Sequence, residues 1–281
     1  MVNLIIDDIL ARFPNPMPLG GGGQRKVFAI EHPQFGETVL KIGAYESQQG
    51  LERIQREVQV LSSIQSDYYP RHYAFQIVDG NRFFIIEERL AGKPLTDYVD
   101  AFTLPSEATA LLQQLTTGLR LLWDARIVHR DVKPANIIIT AERQPKIIDL
   151  GIARLLDLES LTATQGYRGP CTPSYASPEQ LRNLKHAINH RSDLFSLGIV
   201  YAQLLLGGLH PFDPGVVGSG ETIPENILDD SWSRERFDGD ELRAVRPVLA
   251  KMLGHHPYER YRTPEEAQST LTRLLRSMQN D

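Results

Sequence analysis

The stretch His129-Arg130-Asp131-Val132-Lys133-Pro134-Ala135-Asn136 gathers a carboxylate, an ammonium and a carboxamide within one short loop. Ile148-Asp149-Leu150-Gly151 adds a second acid after a hairpin-like spacer. Transfer of a phosphoryl group needs such a set. A carboxylate must orient the acceptor hydroxyl, cations must spread the charge, and hard oxygens must hold Mg²⁺. Asp131 suits the first task, Lys133 the second, and Asn136 with Asp149 the third. An isolated Asp or Asn would be an ordinary turn residue. The complete set at this spacing points to chemistry.

The elements that must position these residues change character along the chain. Residues 1–13 suggest a short amphipathic helix or an extra strand, halted by Pro14, Pro16 and Pro18. The glycine run Gly20–Gly23, between Leu19 and Val27-Phe28, reads as strand, tight turn, strand. Thr38–Ile42 is a further strand. Leu51, Ile54, Val58, Leu61 and Ile64 recur near helical spacing. Asn81–Glu87 is an apolar strand entered through Asp79-Gly80. From Gly92 onward helices dominate. Residues 105–124 place Leu111, Leu112, Leu115, Leu119 and Leu122 on one face. Short strands at Asn136–Ile139 and Lys146–Ile148 flank the turn-prone 140–145, and the chain past Pro178 reads as mostly helical. The connector Glu87–Lys93 separates the two regimes, so the expected fold is α+β and bilobal. A β-rich lobe spans 1–90 and a larger helical lobe 91–281, with a ligand expected in the cleft between them.

With these residues in place, the chain resembles the eukaryotic-like serine/threonine protein kinases, bacterial stand-alone members included, over nearly its whole length. The resemblance implies ATP and Mg²⁺ as cofactors and a single catalytic domain. It implies a glycine-rich loop over the phosphates. Gly20, Gly22 and Val27 match its pattern, whereas Gln24 and Arg25 depart from it. Arg25 either adds a phosphate contact or stiffens the loop. Lys41 would clamp the α- and β-phosphates, paired with Glu57 on the following helix. Adenine would lie between Val27, Val39 and Ile138, its edge bonded by the backbone of Glu88–Leu90. Glu87, an unusual acid, falls at the gatekeeper position, or Ile86 does if the register differs by one. His129 would support the loop by packing. Asp131 and Lys133 would be catalytic, with Asn136 and Asp149 on the metal. Leu150 replaces the usual phenylalanine after that second acid.

Residues 149–179 resemble an activation segment ending in Cys171-Thr172-Pro173-Ser174-Tyr175-Ala176-Ser177-Pro178-Glu179. The resemblance pairs Glu179 with Arg260 and makes Asp193 the acid that braces the catalytic loop. It lets Arg130 dock a phosphate on Thr162 or Thr164, Ser160 being the weaker acceptor; these hydroxyls could equally just decorate the loop. Lys133 with Thr172 favours serine or threonine over tyrosine as acceptor.

Composition narrows the class further. The 281 residues are 41% apolar, enough for a packed core, and the net charge of −5 argues against nucleic acid as partner. The single cysteine, Cys171, rules out a disulfide framework and fits a reducing, cytoplasmic compartment. Asp7 and Asp8 break the only signal-like run. Ser196–Leu209 is uncharged but shorter than the ~20 residues of a membrane span, so it reads as a buried helix and no membrane insertion is expected. The expected activity moves the γ-phosphoryl of MgATP to Ser or Thr hydroxyls of a protein substrate. Autophosphorylation would proceed through transient self-association. Two other readings stay in view. A pseudokinase scaffold is motivated by Gln24 and Arg25. A small-molecule kinase of the aminoglycoside type is disfavoured by the Ser177-Pro178-Glu179 segment.

Overall fold

The computed structural model describes residues 2–20, 26–45, 47–78, 81–149 and 172–280, with the side chains at 2–5, 20, 53, 56, 57, 60 and 280 outside that description. The chain divides into two compact units between Ala91 and Gly92. The first is sheet-rich and the second mostly helical, as the α+β expectation requires.

The first unit runs α1 (Val2–Leu10), β1 (Met17–Gly20), β2 (Lys26–His32), β3 (Gly36–Ala44), α2 (Gln48–Ser63), β4 (His72–Val78) and β5 (Arg82–Glu88). Five strands form one antiparallel sheet in the order β1-β2-β3-β5-β4. Side chains alternate between its faces. On one face Ile30, Leu40, Ile42, Phe84 and Ile86 are buried under α1. That helix presents Ile6, Ile9 and Leu10 to the same cluster, and Phe13 joins it from the turn that follows. The segment is thus a helix, not an added strand. Each fully buried aliphatic chain contributes about 1.5–3 kcal/mol, which is why so short a helix is held. On the opposite face Val27, Val39 and Lys41 share a side with Phe83, Ile85 and Glu87. Gly43 is required there: a Cβ at this position would lie 2.4 Å from the ring of Phe83, its cross-strand partner.

The second unit adds β6 (Lys93–Pro94), α3 (Pro105–Asp124), β7 (Ile137–Ile139), β8 (Pro145–Ile147), α4 (Pro178–Leu181), α5 (His190–Leu205), α6 (Pro214–Val217), α7 (Ile223–Leu228), α8 (Arg246–Met252) and α9 (Pro264–Asn280). Strands β6, β7 and β8 make a small antiparallel sheet. Pro105 starts α3 at the position where a missing N–H costs nothing. Asn189 caps α5, its side chain accepting from the Arg191 N–H at 3.0 Å. Helix α5 is buried almost all round, the mark of a core helix. Thr109 of α3 and Tyr201 of α5 share a 2.6 Å hydrogen bond between the helices, and Gln113 donates to Thr272 of α9 at 2.7 Å. Among the described residues no helix is long and apolar enough to cross a membrane.

Candidate active site

The loop carrying Asp131 leaves α3 and enters β7, and its shape is imposed from α5. Asp193 is fully buried and accepts three N–H donors at 2.8 Å: the Trp123 indole and the backbone amides of His129 and Arg130. Backbone amides held by a fixed carboxylate leave the loop little freedom. Arg130 takes a left-handed conformation (φ 66°), and its carbonyl accepts from the Gln180 side chain at 2.9 Å. The buried His129 ring ties both ends of the region. Its Nδ1 accepts from the Asp131 N–H at 3.3 Å, which leaves Nε2–H to donate to the Ile148 carbonyl at 3.1 Å. His129 is thus a brace, as expected.

Asp131 is buried, and Asn136, Lys133 and Thr172 all stand against its carboxylate. Asn136 Nδ2 donates to Oδ2 at 2.8 Å and to the Asp131 carbonyl at 2.9 Å. Lys133 Nζ stands 3.0 Å from Oδ2. Thr172 donates its hydroxyl to Oδ1 at 2.8 Å and its N–H to the same atom at 3.3 Å, while Lys133 donates to that hydroxyl oxygen at 2.6 Å. The structure therefore joins Asp131, Lys133, Asn136 and Thr172 in one network. Asn136 spends its amide nitrogen on Asp131, so its Oδ1 is the atom left to serve a ligand. The Ile148 N–H donates to the Asn136 carbonyl at 2.9 Å, setting Asp149 beside it in left-handed backbone (φ 57°). A carboxamide oxygen and a carboxylate are the hard donors Mg²⁺ selects, and Mg²⁺ keeps waters and phosphates for its other positions. The residues present fit that ion.

The expected Glu179–Arg260 pair is present. Arg260 grips Glu179 with both guanidinium nitrogens, Nη1–Oε1 at 2.7 Å and Nη2–Oε2 at 3.0 Å, and both side chains are buried. Ser192 donates to Glu179 at 2.6 Å, and Arg260 also donates to the carbonyls of Gly254, Arg191 and His255. Burial alone would raise the Glu179 pKa. The Arg260 guanidinium, the Ser192 hydroxyl and its own backbone N–H together outweigh that and hold it below the ordinary value.

In the first unit, Lys41 Nζ lies 2.7 Å from Glu87 Oε2, with both side chains largely buried. His72 of β4 completes the row, its Nδ1 3.4 Å from Glu87 Oε1. Val27 stands directly across from Lys41 and Val39 across from Glu87, both half-buried. The Glu88 N–H donates to the Arg71 carbonyl at 2.8 Å, so Glu88 has only its carbonyl to offer a ligand. In the second unit Ile138 is half-buried between the buried Ile137 and Ile139. Gly20 ends β1, whereas Gly22, Gln24 and Arg25 lie outside the described residues, as do Leu150, Ser160, Thr162, Thr164, Cys171 and the Glu57 side chain. Sequence reasoning did not anticipate the Lys41–Glu87 contact. The signal was available: Glu87 is two residues beyond Ile85, the strand partner of Lys41, and period-two alternation puts both on one face.

Comparison with known proteins agrees with this geometry. The protein kinase domain family matches residues 15–278. The chain is 34% identical over 261 residues to serine/threonine-protein kinase pkn2 of Myxococcus xanthus, covering 90% of this chain and 29% of that protein. It is 28% identical to PrkC of Bacillus subtilis, covering 95% of this chain and 41% of that one. It is 31% identical to the probable serine/threonine-protein kinase PknB of Corynebacterium glutamicum, covering 96% and 43%. The chain thus spans less than half the length of these curated relatives. By this match and by the Asp131–Lys133–Asn136–Thr172 network, the chain belongs to the protein kinase family, with the bacterial serine/threonine kinases as its relatives.

Proposed function

We propose that this chain is an ATP-dependent serine/threonine protein kinase whose two units act as one catalytic domain. The observation that carries the reading is the Asp131 carboxylate, fixed by Asn136 and flanked by the Lys133–Thr172 pair. An acceptor hydroxyl near Asp131 attacks the γ-phosphorus in line. A new O–P bond forms as the bond to the β,γ-bridging oxygen breaks, ADP leaves, and the hydroxyl proton passes to Asp131. Lys133 places its charge beside the transferring group. Lys41 contributes a second cation, for the α- and β-phosphates. Val27, Val39 and Ile138 supply apolar surface for adenine, with the Glu88 carbonyl and the Leu90 amide at its edge. Gly20 and Gly22 belong to the loop over the phosphates, and Glu57 is a carboxylate partner of Lys41. Asn136 and Asp149 would hold Mg²⁺, which neutralises phosphate charge when bound.

The acceptor is a protein Ser or Thr, and autophosphorylation between two transiently associated copies targets Thr162 or Thr164. The acidic net charge and single cysteine support a cytoplasmic enzyme without a nucleic-acid partner.

The test is transfer of labelled phosphate from ATP with Mg²⁺ to the chain itself and to a generic basic protein. Asp131→Asn and Lys41→Ala run beside the wild type. Label on Ser or Thr that disappears in both variants is the expected result. Mg²⁺-dependent ATP binding with no label under any condition would favour a nucleotide-binding pseudokinase.

A further inference from the structure

Three adjacent strands place Lys41, Glu87 and His72 side by side on the face of the sheet opposite α1. Their side chains are 11%, 7% and 5% exposed, so this is a buried charged row, not a surface ion pair. Burial of a lone carboxylate is costly, and a sheet interior position for Glu87 needs a compensating cation. Lys41 supplies it at 2.7 Å. The other carboxylate oxygen faces His72 of β4, 3.4 Å away. Burial holds the His72 pKa below its usual value, against the opposing pull of Glu87. Its ring is 3.4 Å from the carboxylate but not aligned to hydrogen-bond with it. Glu87 therefore meets Lys41⁺ on one side and a neutral imidazole on the other.

We propose that Glu87 is a positioning residue for Lys41, keeping the ammonium charged and fixed on the sheet from strand β5. The proposal rests on the reading of Lys41 as the phosphate-binding lysine. An ammonium has three N–H donors, so Lys41 can serve more than one acceptor. The hold is built into the β3–β5 ladder, where Lys41 faces Ile85 and Val39 faces Glu87. The contact thus comes from the sheet itself, strand against strand.

The test is the titration of Lys41 in the whole chain without nucleotide. The sequence has seven lysines, so NMR of ε-labelled lysine resolves them, with Lys41 assigned by Lys41→Arg. Loss of an opposite charge at this range lowers a lysine midpoint by about 1–3 pH units. Glu87→Gln is expected to show that drop while keeping the wild-type unfolding transition. Glu87→Leu is the second variant should the first fail to fold. Glu87→Asp is expected to fall between Glu87→Gln and the wild type, since it restores charge at a longer distance. The proposal also expects the KM for ATP to rise in Glu87→Gln more than kcat falls. Unchanged Lys41 midpoints in folded Glu87→Gln would overturn it. Failure of wild-type phosphate transfer would remove the kinase reading yet leave the Lys41 titration legible, so the two failures are distinguishable.

Discussion

Thr172 puts a single hydroxyl at the centre of the proposed chemistry. It receives a bond from Lys133 and gives one to Asp131, bridging an ammonium and a carboxylate that also meet directly at 3.0 Å. Thr172→Val keeps the shape and removes the bridge. We expect kcat to drop about tenfold or more, towards the range of lost general-base assistance. The unfolding free energy should change by only ~1 kcal/mol, the worth of one hydrogen bond. Thr172→Ser should restore most of the rate; equal rates in Thr172→Val and wild type would show the bridge to be incidental. At this scale the sequence was highly legible. Asp131, Lys133 and Asn136 lie so close along the chain that their meeting needs no knowledge of the fold. Glu87 was less so. Its contact with Lys41 crosses two strands, and the expected partner was an acid on a helix. A residue identity names a charge, but the pairing is decided by which strands are neighbours.

Among the elements, the long helices and central strands could be read from periodicity, and strand β4 could not. Its first residues carry a register shift between His72 and Ala74, which breaks the alternation that would have revealed it. It is also an edge strand, so only one neighbour constrains its composition. His72 was overlooked for that reason. The Glu179–Arg260 pair lies at the opposite extreme, legible from motif and confirmed in geometry. It joins the start of α4 to the loop before α9 and is fully withdrawn from water. Removing one partner strands a buried charge. Glu179→Ala or Arg260→Ala should therefore cost roughly 3–5 kcal/mol, measured by denaturant unfolding. A loss under 1 kcal/mol would mean that the segment is anchored elsewhere. The depressed Glu179 pKa gives the pair a pH signature. Its contribution is full above the unfolded carboxylate value and fades as pH falls through the lower folded one.

For the whole molecule, acid sensitivity is expected to be a collective property of half-buried histidines. His210 donates Nε2–H to the Ser174 carbonyl at 2.9 Å and accepts the Phe212 N–H on Nδ1 at 3.2 Å, so a second proton has no room. Burial pushes its pKa down to about 4. Burial likewise lowers His72, His190 and His255. Each unfolded imidazole takes a proton near its ordinary value while the folded one refuses it, so the unfolded state binds more protons and stability falls as pH falls. His210 alone should contribute up to about 3 kcal/mol of that loss between its unfolded and folded values. Urea midpoints should decline from neutral pH towards pH 5, and His210→Asn should flatten the decline. A wild-type midpoint constant over that window would contradict the argument. One further consequence follows from Asp193, whose carboxylate shapes a loop more than sixty positions earlier in the chain. During synthesis the N-terminal sheet is complete in sequence by Glu88 and can fold as its residues emerge, since folding proceeds by units from the N-terminus. The loop at His129 emerges next but has nothing to impose its backbone until α5 arrives. On that order a nascent chain would assemble its Lys41–Glu87–His72 row before the loop around Asp131 can take its final shape.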